Sequence, residues 1–184
     1  MPAVPEIAAE DIIGDYRTFF GDVLARTRRA VGQVDAWPVS HIAYRTATLA
    51  EYRKTRDLLR SISLADVENV WNGRPIDKLL LQRPLELAPG FRTTLIELIP
   101  PPHRQDYPMG LEHAGLVLGE NFDTFVETKR RVLTGQQDQG PYCQPAYVTF
   151  DNGRTMKFYR YSLRDVVEME GRRFLAAAAG GSAG

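Results

Sequence analysis

Cysteine is almost missing from this chain: Cys143 stands alone among 184 residues. No internal disulfide can form, so the fold must be held by burial, and a reducing cytoplasm is the expected compartment. Cys143 itself reads as a small packing residue rather than a nucleophile. Net charge is missing as well, because 23 Lys and Arg balance 23 Asp and Glu. Nucleic-acid partners usually leave a basic footprint, and this composition argues against them. No apolar run approaches the length of a membrane span, so no membrane partner is expected. The first residues, MPAVPEIAAED, lack the basic start and apolar stretch of a secretion signal. Histidine is scarce too, at three residues, and two of the three carry the strongest chemical signal.

His41 opens the short apolar stretch HIAYRT, and His113 lies in EHAGLVL. Between them Glu97 sits inside TTLIELI. Each is a polar residue in a run that otherwise reads as core, where an unpartnered polar group is costly. Two imidazoles and one carboxylate suffice to hold a divalent metal and leave positions open for substrate. A lone histidine on a strand is usually structural. The matched placement of the two histidines, with Glu97 on a third strand, is what turns them into a candidate ligand set.

The surrounding pattern is legible in pieces. Apolar residues from Ile12 to Leu24 recur at helical spacing, predicting one helix over 11–31. Trp37-Pro38 ends that pattern before HIAYRT. A second helix is expected from Thr48, as N-cap, to Ser61. VENVWNGRPIDKLLL reads as a hairpin, because Asn72 and Gly73 both tolerate positive φ. RPLELAPG reads as a Pro- and Gly-bearing loop, RTTLIELI as a strand and PPPHRQDYPMG as a second loop. After EHAGLVL come a helix over 121–133, a loop over 135–145, the hairpin AYVTFDNGRTMKFYRY, and a last helix capped by Ser162. The tail AAAAGGSAG has nothing to pack and is expected to be disordered.

This order repeats. A histidine, a helix and an Asn-Gly-Arg hairpin make one half, and the same series makes the other. Two such units side by side would bury both sheet faces and leave a cleft between them. Whether they pair within one chain or between the copies of a homodimer stays open. Alternation along the strands puts His41, Ala43 and Arg45 on one face, and likewise His113 and Gly115. Ala43 and Gly115 are small enough to leave room for a cavity. Lys157 and Tyr159 share a face in TMKFYRY, so the cavity would also hold Arg45, Lys157 and Tyr159. An anionic ligand such as a carboxylate suits those cations. Glu112 should face away from His113, as a salt-bridge partner. His103 reads as an exposed loop residue. Tyr107 is placed to close over the cavity.

The stretches SHIAYR, NGRPI, IELIPPP…YPMGLEH and DNGRTMKFYRYSLRDVV resemble the YecM family, within the vicinal oxygen chelate (VOC) superfamily of paired βαβββ modules. The resemblance runs from about Val39 to Glu168. It implies an α+β fold in which paired modules form a curved mixed sheet around a cleft, with an extra N-terminal helix. The corresponding division is 1–38 for the helical segment, 39–100 for the first module, 101–170 for a second, shortened module and 171–184 for the disordered tail. It also points to His41, Glu97 and His113 as ligands.

Many members of that superfamily carry an acidic ligand on the last strand after an Asp-Gly turn. Here the turn is DNGR and the strand TMKFYRY, which offers Lys157 and Tyr159 but no carboxylate. No clear strand follows it, so it also reads as a penultimate strand. A three-ligand site completed by water or substrate is therefore expected, a pattern that suits non-haem Fe(II), with Zn, Mn and Ni also compatible. The expected function is that of a metal-dependent VOC-type enzyme on a small, oxygen-chelating, anionic substrate, as isomerase, lyase or oxygenase. In this reading Lys157 and Tyr159 are catalytic, and Arg45 and Tyr107 bind substrate. The alternatives are a non-catalytic binding or resistance protein using the same cleft, and a structural domain with a decayed site.

Overall fold

A computed structural model describes residues 7–101 and 108–177 of the chain. Its element order is α1 (Ala9–Ile13), α2 (Tyr16–Val31), β1 (Val39–Arg45), α3 (Leu49–Ser61), β2 (Ser63–Trp71), β3 (Arg74–Ala88), β4 (Phe91–Ile99) and β5 (Gly110–Val117). A 3-10 turn at Gly119–Asn121 leads into α4 (Phe122–Lys129), β6 (Gly135–Gln136), β7 (Ala146–Thr149), β8 (Thr155–Tyr159), α5 (Leu163–Met169) and β9 (Leu175–Ala176). The series β1-α3-β2-β3-β4 is one βαβββ module and β5-α4-β6-β7-β8 is the next. This is the α+β architecture of paired modules that the sequence pattern suggests.

All nine strands join one curved, unclosed mixed sheet in the order β6-β7-β8-β5-β1-β4-β3-β2-β9. The modules meet where β1 runs antiparallel to β5. Inside each module the first and last strands are parallel, β1 with β4 and β5 with β8. That parallel pairing places TMKFYRY as the last strand of the second module. The expectation of a penultimate strand is corrected, because β6 supplies the missing strand with only two residues.

Strand alternation divides the sheet into two faces. Ile42, Leu79, Ile96, Leu98, Leu116, Met156 and Phe158 face a core closed by Phe19, Phe20, Val23 and Leu24 of α2, Leu59 of α3 and Phe125 of α4. Trp37 joins it edge-on to Phe125, ring centroids 5.3 Å apart. The other face carries Leu95 and Tyr159, which pack with Cys143 and with Leu163 and Val166 of α5. The Thr48 hydroxyl accepts a hydrogen bond from the Glu51 amide, and Ser162 forms a capping box with Asp165, so both helix starts follow the cap residues.

Four local expectations are corrected. The single helix over 11–31 is two helices, because Gly14 turns at φ 80° and Asp15 starts afresh by accepting from the Thr18 amide. Of the expected loop RPLELAPG, the part up to Ala88 belongs to β3, and only Pro89 and Gly90 make a turn. Pro84 falls where the β3–β4 register shifts, between Leu80 and Leu85, so the missing N–H interrupts no ladder bond. The helix over 121–133 stops at Lys129. The tail from 171 does pack in part: Leu175 and Ala176 pair with Asp66 and Ala65 of β2. Residues 178–184 lie outside the described residues, as do His103 and Tyr107. At the first hairpin Asn72 and Gly73 both take positive φ, as their types predict.

Candidate metal centre

The site forms on the face opposite the helical core. β1 brings in His41, β5 brings in His113 and β4 brings in Glu97 beside Ala43. One ligand atom from each lies within 4.8 Å of the others. His113 Nε2 is 3.2 Å from Glu97 Oε2, and His41 Nε2 is 3.7 Å from the same oxygen. The two Nε2 atoms are 3.4 Å apart. Both histidines are fully buried, while the Glu97 side chain keeps 13% exposure. Glu97 is thus the donor that opens towards the cleft.

Two strand irregularities aim the imidazoles. Between Val39 and His41 the partner on β5 moves only from Leu116 to Gly115, so Ser40 is an extra residue on β1. Between Ala43 and Tyr44 the partner moves from His113 to Leu111, so Glu112 is an extra residue on β5. Each extra residue directly precedes a histidine and breaks the strict alternation of faces. Ser40 Oγ lies 2.9 Å from His41 Nδ1, and Glu112 Oε1 lies 3.1 Å from His113 Nδ1. Ser40 is fixed in turn by the Leu163 amide at the start of α5, and Glu112 by Arg45 Nε. Holding Nδ1 leaves each Nε2 to point at Glu97, the device by which ligating histidines are usually oriented.

Electrostatics prepare the same donor set. Burial pushes the His41 pKa well below its ordinary value, which favours the neutral imidazole that ligates. Burial works against the Glu97 carboxylate. The hydrogen bond with His113 and the charges around it outweigh burial and hold its pKa below the usual range. Glu112 follows the same balance: burial opposes ionisation, and His113 and Arg45 overcome it, lowering its pKa to about 2. A neutral His41 imidazole, an ionised Glu97 carboxylate and two Nδ1 atoms held by hydrogen bonds together fit a divalent cation.

Above the centre lies a cleft of about 490 Å³ whose lining includes Glu97, His113, Arg45, Lys157, Tyr159 and Arg74. Lys157 Nζ donates to Gln137 Oε1 at 3.1 Å. Tyr159 lies edge-on to the His41 ring with centroids 5.3 Å apart, and burial raises its pKa well above the ordinary value. Arg45 is buried, donates to Glu112 and also donates to the Pro100 carbonyl at 3.0 Å. Cys143 is buried with its pKa pushed up to about 12, chiefly by desolvation, so it is a packing residue. Sequence reasoning missed two contributors. Ser40 gave no signal, and Glu112 was expected to face away from His113.

A strand-borne His-Glu-His set on paired βαβββ modules defines the class as a VOC-type fold with a candidate metal centre. The YecM protein family matches residues 8–142, and the chain belongs to that family. No curated protein sequence matches it. Among solved structures the chain is similar to protein EC4020, with 24% identity over 91% of this chain and 100% of that one, at a TM-score of 0.69. It has a more distant likeness to a fusion of a xylose isomerase-like TIM barrel with 4-hydroxyphenylpyruvate dioxygenase. There the identity is 12% over 92% of this chain and 28% of that one, with a TM-score of 0.48. A fosfomycin resistance protein, FosX from Listeria monocytogenes, complexed with Mn(II) and sulfate, gives 14% identity over 71% and 94% of the two chains, with a TM-score of 0.27. No helix among the described residues is long and apolar enough to cross a membrane.

Proposed function

We propose that this protein is a divalent-metal-dependent enzyme of the VOC type, acting on a small anionic metabolite that chelates through oxygen. The observation that carries this is the convergence of His41 Nε2, His113 Nε2 and Glu97 Oε2, with both Nδ1 atoms already held from behind. His41, Glu97 and His113 would hold the ion. Bound there, a divalent metal supplies Lewis-acid polarisation of a substrate oxygen, and Fe(II) would add redox chemistry.

The chain's own groups have separate tasks. Lys157 orients the anionic group and offers a proton at Nζ. Tyr159, kept protonated by burial, packs against His41 and can donate a hydrogen bond from its phenol oxygen without acting as a base. Arg45 holds Glu112 and through it the His113 ring, besides lining the cleft. These tasks suit isomerase, lyase or oxygenase chemistry on an enolisable acid.

Elemental analysis of protein purified without a metal-binding tag tests the centre, with titration by Fe(II), Mn(II), Ni(II) and Zn(II). About one ion per chain is expected, lost in the double variant His41→Ala, His113→Ala with the fold retained. Full metal content in that variant would place the site elsewhere. Metal-loaded protein that binds hydroxy and keto acids without converting any would favour sequestration over catalysis.

A further inference from the structure

The repeat gives every site residue a counterpart in the other module. His41 on β1 corresponds to His113 on β5. β4 runs parallel to β1 and sets Glu97 beside Ala43, two residues after His41. β8 runs parallel to β5 and sets Lys157 beside Gly115, two residues after His113. Lys157 therefore occupies the position that, by the repeat, corresponds to Glu97. Its side chain enters the same cleft as Glu97 and His113.

A carboxylate at that position would complete a four-donor set with two negative charges. An ammonium there reverses the balance. A divalent ion with two neutral imidazoles and one carboxylate carries one net positive charge, and Lys157 adds a second. Lys78, opposite Glu97 on β3, adds a third; its Nζ is engaged only with the neutral Asn69 amide oxygen among the hydrogen bonds seen. Arg74 lines the same cleft, and its buried Nε has no hydrogen-bond partner among the described residues. Excess charge of one sign in a poorly solvated site is unfavourable and weakens cation binding.

We propose that Lys157, standing in place of a fourth protein ligand, leaves that coordination position to an anionic oxygen of the substrate, so that metal and substrate bind interdependently. The inference rests on the metal-centre reading above. The substrate class it selects is a small carboxylic acid whose carboxylate bridges the ion and the Lys157 ammonium. Linkage requires the effect to be reciprocal: the acid raises metal affinity by the factor by which metal raises affinity for the acid.

The test measures Mn(II) affinity of the full chain from the free-ion EPR signal, with and without glycolate, at corrected free Mn(II). Wild type should bind Mn(II) about tenfold or more tightly when glycolate is present. Lys157→Glu should bind Mn(II) about tenfold more tightly than wild type without glycolate, and should lose the glycolate response. Lys157→Met, which keeps the stem without the charge, should lose most of the response and serves if the glutamate variant does not fold. Mn(II) binding in wild type that is indifferent to glycolate, or a full response retained in Lys157→Met, overturns this inference alone. Wild type that binds none of Mn(II), Fe(II) or Zn(II) overturns the metal-centre reading and this inference with it.

Discussion

Gly115 lies against the His41 ring so closely that a single added carbon has no room: a Cβ there would stand 2.7 Å from His41 Cε1 and 2.9 Å from Tyr159 Cε2. The His41 ring cannot yield freely, since Ser40 holds its Nδ1 and the residue is fully buried. Gly115→Ala is therefore expected to cost about 1–3 kcal/mol in stability by overpacking. It should also weaken metal binding by tilting Nε2 away from Glu97. Chemical denaturation and metal titration of the variant check both effects. Wild-type affinity would show that the ring position does not set the site.

The bond from Glu112 to His113 predicts a separable effect. Glu112→Gln preserves shape and an acceptor but removes the charge. Metal affinity should fall about 10–100-fold, as for other outer partners of ligating histidines. Glu112→Ala should do more harm to the fold, because it removes the buried carboxylate to which Arg45 Nε donates; losses of about 3–5 kcal/mol are usual for breaking such pairs. Calorimetry of both variants with a matched metal titration separates the two roles. Equal affinity in Glu112→Gln and wild type would mean that His113 needs no carboxylate behind it.

Away from the cleft, Asp77 on β3 is fully buried, and neither carboxylate oxygen has a hydrogen-bond partner among the described residues. Arg60 approaches only to 3.7 Å, while Arg60 also pairs with Asp66 at 2.6 Å. Burial, helped by the charge of Asp66, raises the Asp77 pKa from 3.8 to about 7. A raised carboxyl pKa means the folded state holds its proton where the unfolded chain has lost it. Stability from this group is therefore present below about pH 4 and is lost as pH rises towards 7, then stays constant. Asp77→Asn should remove that slope and raise stability at pH 8 by up to a few kcal/mol relative to wild type. Denaturation curves from pH 4 to 8 give the difference directly. A wild-type minus variant difference that does not change with pH would show that Asp77 is ionised in the fold.

How much of this was readable in the sequence depends on what broke the periodicity. His41, Glu97 and His113 stood out because each is polar inside an apolar strand. The pairing of modules followed from the repeated order of histidine, helix and Asn-Gly-Arg turn. Ser40 and Glu112 were hidden because each is the extra residue of a strand irregularity. Alternation assigns faces only while the ladder is regular, and it therefore turned Glu112 the wrong way. Pro84 read as loop punctuation, although a register shift lets β3 carry it. The break at Gly14 had a local signature in Gly14 followed by Asp15 and Thr18, overridden by the continuous apolar stripe on both sides. β6 and β9 are two residues each, too short for any pattern to declare them.

The position of the two histidines has a consequence for how the protein comes together. His41 and His113 are 72 residues apart in sequence and meet only where β1 pairs with β5. A nascent chain that has completed its first module presents His41 and Glu97 but not the second imidazole. Metal cannot template that early stage with the full donor set. With the proposed centre as its site, an ion would be captured only after the second module has docked, when the long-range pairing that slows folding is already made. Loading with metal would then act as a seal on correct assembly, selecting chains whose two halves have found their register.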